Sequence, residues 1–147
     1  MYSELYCDWM KRSVGSWKSH RRYLYGNPKQ NPKIQNLETS FDIVNEEEDP
    51  NVFTIHWHSD QGTTGTMAVT VDGSCLHRSR GYFTDEETDT HMAFIDSDTI
   101  LFTSSYNGMF FREEIRLLDN DTMRLRQTVG YKDGKVTICG QYLEVRV

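Results

Sequence analysis

The segment FFREEIRLLDNDTMRLRQTV, Phe110 to Val129, reads as two β-strands joined by the turn Asp119-Asn120-Asp121. Successive side chains of a strand alternate sides, so Phe111, Glu113, Ile115 and Leu117 share one face of the first strand. One carboxylate therefore sits among three core-forming residues. On the second strand Arg124, Arg126 and Thr128 share a face opposite Met123, Leu125 and Val129. Two arginines and a glutamate on paired strands are either a salt-bridged surface or the polar lining of a cavity.

Working outward, the periodicity stays alternating from residue 17 to the end. Segments near 17–25, 33–43, 51–58, 64–71, 74–82, 91–95, 99–105, 108–118, 122–131 and 135–146 are rich in β-branched and aromatic residues. Turn signals separate them, among them Gly26-Asn27-Pro28, Asp72-Gly73, Asn107-Gly108 and Asp133-Gly134. Before them, Leu5, Trp9 and Met10 recur at helical spacing after Ser3, an N-cap type, so one short helix is expected over about 4–13, with Gly15 ending it. About ten short strands with no helix between them make an antiparallel meander, and closure of so long a sheet removes its edges. The expectation is all-β: an up-and-down barrel with the helix lying across one mouth.

At 147 residues the chain has the length of one domain, spanning 1–147, large enough to enclose a small ligand site. A net charge of −6 argues against nucleic acid or an anionic membrane as main partner, because both reward a basic surface. No apolar run approaches the roughly 20 residues of a membrane span. The N-terminal MYSELYCDWMKRSVG lacks the basic-then-apolar order of a signal peptide, and a soluble protein of the cytoplasm is expected. Cys7, Cys75 and Cys139 are odd in number and far apart, which suggests free thiols in a reducing compartment. His56 and His58 are clustered without a nearby cysteine, so no metal site is expected. The run Glu46-Glu47-Glu48-Asp49 reads as a solvated loop.

Gly15-Ser16-Trp17 at the start of the first strand resembles the G-x-W signature of lipocalins, in which the tryptophan packs across the closed end. The resemblance implies a lipocalin or fatty-acid-binding-protein type of barrel. Counting from an inward Trp17, the first strand sends Ser19, Arg21, Tyr23 and Tyr25 to the same side. Phe53, Ile55 and Trp57 form the apolar face of the third strand, with His56 and His58 outside. The directions of Arg78 and Arg80 stay open. So does the face of Thr64, Thr66, Ala68 and Thr70, whose small side chains would leave room inside but suit an outer surface equally. On the last strand Glu144 and Arg146 share a face opposite Leu143 and Val145.

Arg21, Glu113, Arg124 and Arg126 inside an apolar barrel would each carry a penalty of several kcal/mol unless they pair with one another or with a ligand. A ligand that suits them is flat, carries anions for arginine and presents N–H groups to a carboxylate. An open-chain tetrapyrrole has all three, through its two propionates and its pyrrole nitrogens. A fatty acid needs the arginines but not the glutamate.

Three segments then resemble the S-type phycobiliprotein lyases, the CpcS/CpeS group: GSWKSHR at Gly15 to Arg21, FREEIRLLDNDTMRLRQTV at Phe111 to Val129, and LEVR at Leu143 to Arg146. The resemblance implies a lipocalin-like barrel that takes a bilin, as substrate and not as prosthetic group, and delivers it to a cysteine of an apo-phycobiliprotein. It implies bilin-contacting roles for Arg21, Arg126, Glu144 and Trp57, and catalytic ones for Glu113 and Arg124. Glu114 competes with Glu113 for the carboxylate role, although alternation favours Glu113. In the mechanism so implied, Glu113 holds or protonates pyrrole nitrogens while the arginines anchor propionates. The resemblance also points to phycoerythrobilin and a phycoerythrin β-subunit. Whether the protein forms a homodimer stays open. Two other readings remain: a passive calycin-type carrier of a hydrophobic acid or tetrapyrrole, and a scaffold barrel with its charges on the surface.

Overall fold

The computed structural model of the chain describes residues 2–27, 30–79 and 88–147. A helix α1 (Tyr2–Ser13) leads into ten strands: β1 (Gly15–Asn27), β2 (Gln30–Asn45), β3 (Val52–Ser59), β4 (Thr64–Asp72), β5 (Cys75–Arg78), β6 (Thr88–Asp96), β7 (Thr99–Tyr106), β8 (Met109–Leu118), β9 (Met123–Lys132) and β10 (Lys135–Arg146). Each strand pairs antiparallel with its sequence neighbours, and β10 closes the barrel on β1 from Trp17↔Arg146 to Tyr25↔Ile138. The expected up-and-down barrel with an N-terminal plug is the observed fold. Turn chemistry follows the residues: Asn107 and Gly108 have φ of 53° and 70°, Asp133 and Gly134 of 52° and 73°, the mirror-image turns that match strand twist.

Two local expectations at the start of the chain are corrected. The helix already begins at Tyr2, so Ser3 lies within its first turn and is not the cap. Leu5 is 48% exposed, and the buried face is made by Tyr6, Cys7, Trp9, Met10 and Ser13. Tyr6, Trp9, Met10 and Ser13 are separated by three, one and three positions, the spacing of a single helical stripe; Leu5 falls at its edge. Strand β2 extends beyond the expected 33–43 at both ends. Strand β5 stops at Arg78, and residues 80–82 of the expected 74–82 segment, Arg80 among them, lie outside the described residues.

The helix is fastened to the barrel floor by charge. Arg12 donates to both carboxylate oxygens of Asp121, to Asp98 and to the carbonyl of Ser97. Arg146, at the end of β10, donates to the carbonyls of Val14, Arg12 and Asp121 and lies 4.4 Å from the centre of the Trp17 ring. Gly15 is required where the chain turns from helix to strand: its φ is 130°, and a Cβ there would lie 2.6 Å from the Arg146 guanidinium. Trp17 donates its indole N–H to the Ser13 carbonyl, and Trp9 to that of Asp98. Above this floor Phe41, Ile43, Phe53, Met67, Val69, Leu76, Ile100 and Ile115 form the main apolar core. The threonine face of β4 points outward, because Met67 and Val69 take the inner side.

Among the described residues no helix is long and apolar enough to cross a membrane. All three cysteines are free thiols.

Candidate functional site

The alternation that sets the core also sets a belt of charge within it. Glu113 of β8 pairs in register with Thr128 of β9, Arg126 with Tyr142 of β10, and Arg124 with Glu144, so these side chains meet on the inner wall. Arg126 bridges two carboxylates, donating to Glu113 Oε2 at 3.1 Å and to Glu144 Oε2 at 3.2 Å. Thr128 donates its hydroxyl to Glu113 Oε2 at 3.3 Å, and Arg78 of β5 reaches Glu113 Oε1 at 3.3 Å. Arg124 lies 3.3 Å from Glu144 Oε1, and Arg21 4.0 Å from Glu144 Oε2 while donating to Ser19. Among the described residues the interior thus gathers four guanidiniums around two carboxylates. Glu144 is 0% exposed and Glu113 only 4%.

Aromatic faces complete the cage. The Arg126 guanidinium carbon stands 4.4 Å from the Tyr142 ring centre, and that of Arg124 stands 5.5 Å from both Trp17 and Phe41. Such faces stabilise desolvated guanidiniums. Burial pushes the Glu113 carboxyl up, but Arg126, Arg78 and Arg124 outweigh it and leave the group below its ordinary value. The same holds for Glu144, where Arg126, Arg124 and Arg21 outweigh burial. Burial and the neighbouring Tyr23 raise the Tyr142 phenol well above its ordinary range.

Beside the cage lies a cavity of about 160 Å³, whose lining includes Arg21, Arg124, Arg126, Phe41, Ile55 and Trp57. A void of about 20 Å³ lies deeper, against Arg78, Glu113, Phe102 and Trp9, and shares Arg124, Ile43 and Ile55 with the first. Glu113 thus borders the smaller void, and neither Glu113 nor Glu144 lines the larger cavity. Its volume is below the ~300 Å³ at which small-molecule sites usually begin, so in this form it takes only part of a large ligand. Trp57 lies across the wall because its cross-strand neighbour is Gly65, where any Cβ would collide with the indole.

The arrangement answers the surface-or-cavity question. Glu113, Arg124, Arg126, Glu144 and Arg21 come together in one buried cage, with Trp57 at its edge. Glu114 points outward, half-buried, near Arg116 at 3.9 Å. Arg78 and Thr128 are members of the cage that sequence reasoning did not assign. The signal for Arg78 was present, since Leu76 and Arg78 alternate with Cys75 and His77, and an inward Leu76 carries Arg78 inward too. His56 and His58 face solvent, and no group of three His, Cys, Asp or Glu able to hold a metal is found among the described residues.

A closed antiparallel barrel, plugged at one end and lined with arginine, glutamate and aromatic rings beside a hollow, is a barrel of lipocalin-like architecture. Residues 28–147 match the family model described as CpeS-like protein, and the chain belongs to that family. It is 33% identical over 75 residues to the putative phycocyanobilin lyase CpcS 2 of Nostoc sp., a match covering 51% of this chain and 41% of that protein. The putative chromophore lyase CpcV of Picosynechococcus sp. is 26% identical over 160 aligned positions, covering 93% of this chain and 79% of that one. In solved structures, the S-type phycobiliprotein lyase CPES from Guillardia theta superposes with a TM-score of 0.69 over 95% of this chain and 91% of the other, a likeness of fold at 19% identity.

Proposed function

We propose that this barrel binds a linear tetrapyrrole and delivers it to a cysteine of an apo-phycobiliprotein subunit, as a bilin lyase. The observation that carries the reading is the wall of the 160 Å³ cavity, which Arg21, Arg124 and Arg126 share with the indole of Trp57. Guanidiniums pair with carboxylates in two-point contacts, and a flat conjugated ring system stacks on an indole. Membership of the CpeS-like family supports the same conclusion.

In this reading the propionates are held by Arg21, Arg124 and Arg126, and Trp57 orients the ring plane. Glu113, kept ionised by Arg126 and Arg78 and reached once a propionate draws Arg126 aside, accepts pyrrole N–H bonds and steadies positive charge on the chromophore. Its lowered pKa favours that holding role over the donation of a proton, since an ionised carboxylate has none to give. The chemistry itself is the addition of an acceptor S–H across the exocyclic double bond of ring A. The thiolate sulfur forms the C–S bond, the π pair is taken up by the conjugated system, and one proton returns to ring A. Nothing leaves and no oxidant is consumed. Holding one bilin conformation supplies selectivity for the acceptor cysteine.

Because the cavity is small, loading requires the wall at Trp57 to yield or part of the bilin to remain outside. Phycoerythrobilin, with a phycoerythrin β-subunit as acceptor and a cytoplasmic setting, is the finer form of this proposal. The test mixes the purified protein with phycoerythrobilin and, separately, phycocyanobilin, and records the absorbance before and after an apo-β-subunit is added. A red-shifted band that moves to the acceptor as a covalent adduct is the expected result. A band that stays with the barrel would make it a passive carrier, and no spectral change with either bilin would remove the pigment reading.

A further inference from the structure

Arg78 differs from the other interior arginines in where it stands. Arg21, Arg124 and Arg126 wall the larger cavity, whereas Arg78 borders only the small void behind it, with its guanidinium carbon 5.2 Å from the Phe102 ring centre. The two oxygens of Glu113 are shared accordingly. Oε2 is held by Arg126, which a ligand in the cavity can reach, and Oε1 by Arg78, which stands behind. Both contacts are buried.

We propose that Arg78 is a positioning residue that keeps Glu113 ionised and fixed when an anionic ligand draws Arg126 toward itself. The proposal rests on the bilin-binding reading, because it assigns Arg78 a task that arises on loading. An anion arriving in the cavity competes for Arg126 with Glu113 and Glu144. A buried carboxylate that loses its main counter-charge takes up a proton, and then no longer accepts hydrogen bonds from a pyrrole. Arg78 prevents this from a direction the ligand does not occupy.

The groups that face Glu113 come from several strands. Arg78 approaches from β5, and Arg126, Arg124 and the Thr128 hydroxyl from β9. Tyr142 approaches from β10, with Glu144 acting through Arg126. The carboxyl is pushed up by burial and brought below its ordinary value chiefly by Arg126, then by Arg78.

The test follows the carboxyl carbon of Glu113 by NMR in protein made with carboxyl-labelled glutamate, the resonance being assigned with Glu113→Gln. Titrations are run on the free protein and on protein loaded with phycocyanobilin, for the native sequence and for Arg78→Gln and Arg78→Lys. Arg78→Gln is expected to raise the proton affinity of Glu113 about tenfold or more, one pH unit, and to raise it further in the loaded protein. Arg78→Lys restores the charge without the planar fork and gives a smaller rise. A purely structural role would lower thermal stability and leave the midpoint in place. A midpoint in loaded Arg78→Gln equal to the native one overturns the proposal, as does a Glu113 that stays ionised in both down to acid unfolding. Should Arg78→Gln not fold, an unchanged midpoint in loaded Arg78→Lys overturns it equally. Should the native protein bind neither phycocyanobilin nor phycoerythrobilin, the bilin reading falls and the ligand-free titration decides whether Arg78 holds Glu113; should it bind phycoerythrobilin alone, the loaded titrations are run with that bilin.

Discussion

Replacing Glu113 by glutamine keeps the side chain's size and deletes its charge, which isolates what the carboxylate does for the barrel. The substitution takes a carboxylate from Arg126 at 3.1 Å and from Arg78 at 3.3 Å, while the amide oxygen still accepts from Thr128 at 3.3 Å. Removing one partner of a buried ion pair costs about 3–5 kcal/mol, because the remaining charge stays desolvated. Arg126 retains Glu144 at 3.2 Å, which places Glu113→Gln near the low end, about 3 kcal/mol. For a domain of this size that corresponds to a Tm lower by roughly 6–12 °C. The matched control is Glu114→Gln: Glu114 is half-exposed beside Arg116 at 3.9 Å and is worth about 0–1 kcal/mol. Urea unfolding at pH 7, followed by circular dichroism, measures both. A Glu113→Gln protein within ~1 kcal/mol of the native one would refute the buried cage as the energetic unit argued from these distances. The same variant is expected to lose transfer of bilin to an apo-subunit, and undiminished stereospecific attachment would take Glu113 out of the mechanism.

Three further outcomes follow from the geometry. Glu113 and Glu144 have folded pKa values below the ordinary carboxylate value, so they add stability above about pH 4.5 that is lost as the pH falls through their folded values; acid unfolding monitored by Trp fluorescence should steepen there, and less so in Glu113→Gln. Gly65→Ala places a methyl against the Trp57 indole, which should cost about 1–3 kcal/mol by overpacking and weaken bilin binding measured by absorbance titration. Arg146→Ala removes charged donors from three carbonyls at the floor, each worth about 1.5–3 kcal/mol when buried and less here, where Arg146 is partly exposed. Amide exchange of α1 should then rise sharply, and an unchanged rate would show that the plug is held by its apolar face and the Arg12 contacts without Arg146.

The barrel was legible because each of its causes is local. Alternation from Trp17 put Arg21 inside, turn pairs such as Asn107-Gly108 marked the hairpins, and a meander without crossovers has few ways to close. Part of the cage was legible for the same reason, since Glu113 shares a face with Phe111, Ile115 and Leu117. On β9 and β10 the apolar Leu125 and Leu143 lie opposite Arg124, Arg126 and Glu144 and prove exposed, so alternation left surface or cavity open there and the family resemblance singled these residues out. What was not legible depends on packing across the barrel. Arg78 meets Glu113 from three strands away, a contact that no spacing encodes. The modest volume of the hollow depends on how Trp57, Phe41 and the arginines fill it together. At the helix, Leu5 and Tyr6 are adjacent apolar residues, and only docking against Phe53 and Phe102 selects Tyr6 for the inside.

The seam between β1 and β10 joins residues from opposite ends of the chain, Trp17 with Arg146 and Tyr25 with Ile138. Glu144 lies on that seam, so its desolvation must wait until the last strand arrives, and until then Arg21, Arg124 and Arg126 remain hydrated. The pairs of Glu113 and Glu144 with Arg124 and Arg126 lie within the β8–β9 and β9–β10 hairpins. Arg21, by contrast, comes within 4.0 Å of Glu144 across the seam, so full burial of Glu144 waits on completion of the cylinder, a step governed by long-range chain search. Closure should therefore slow as salt screens the attraction of Arg21 for Glu144 across the gap.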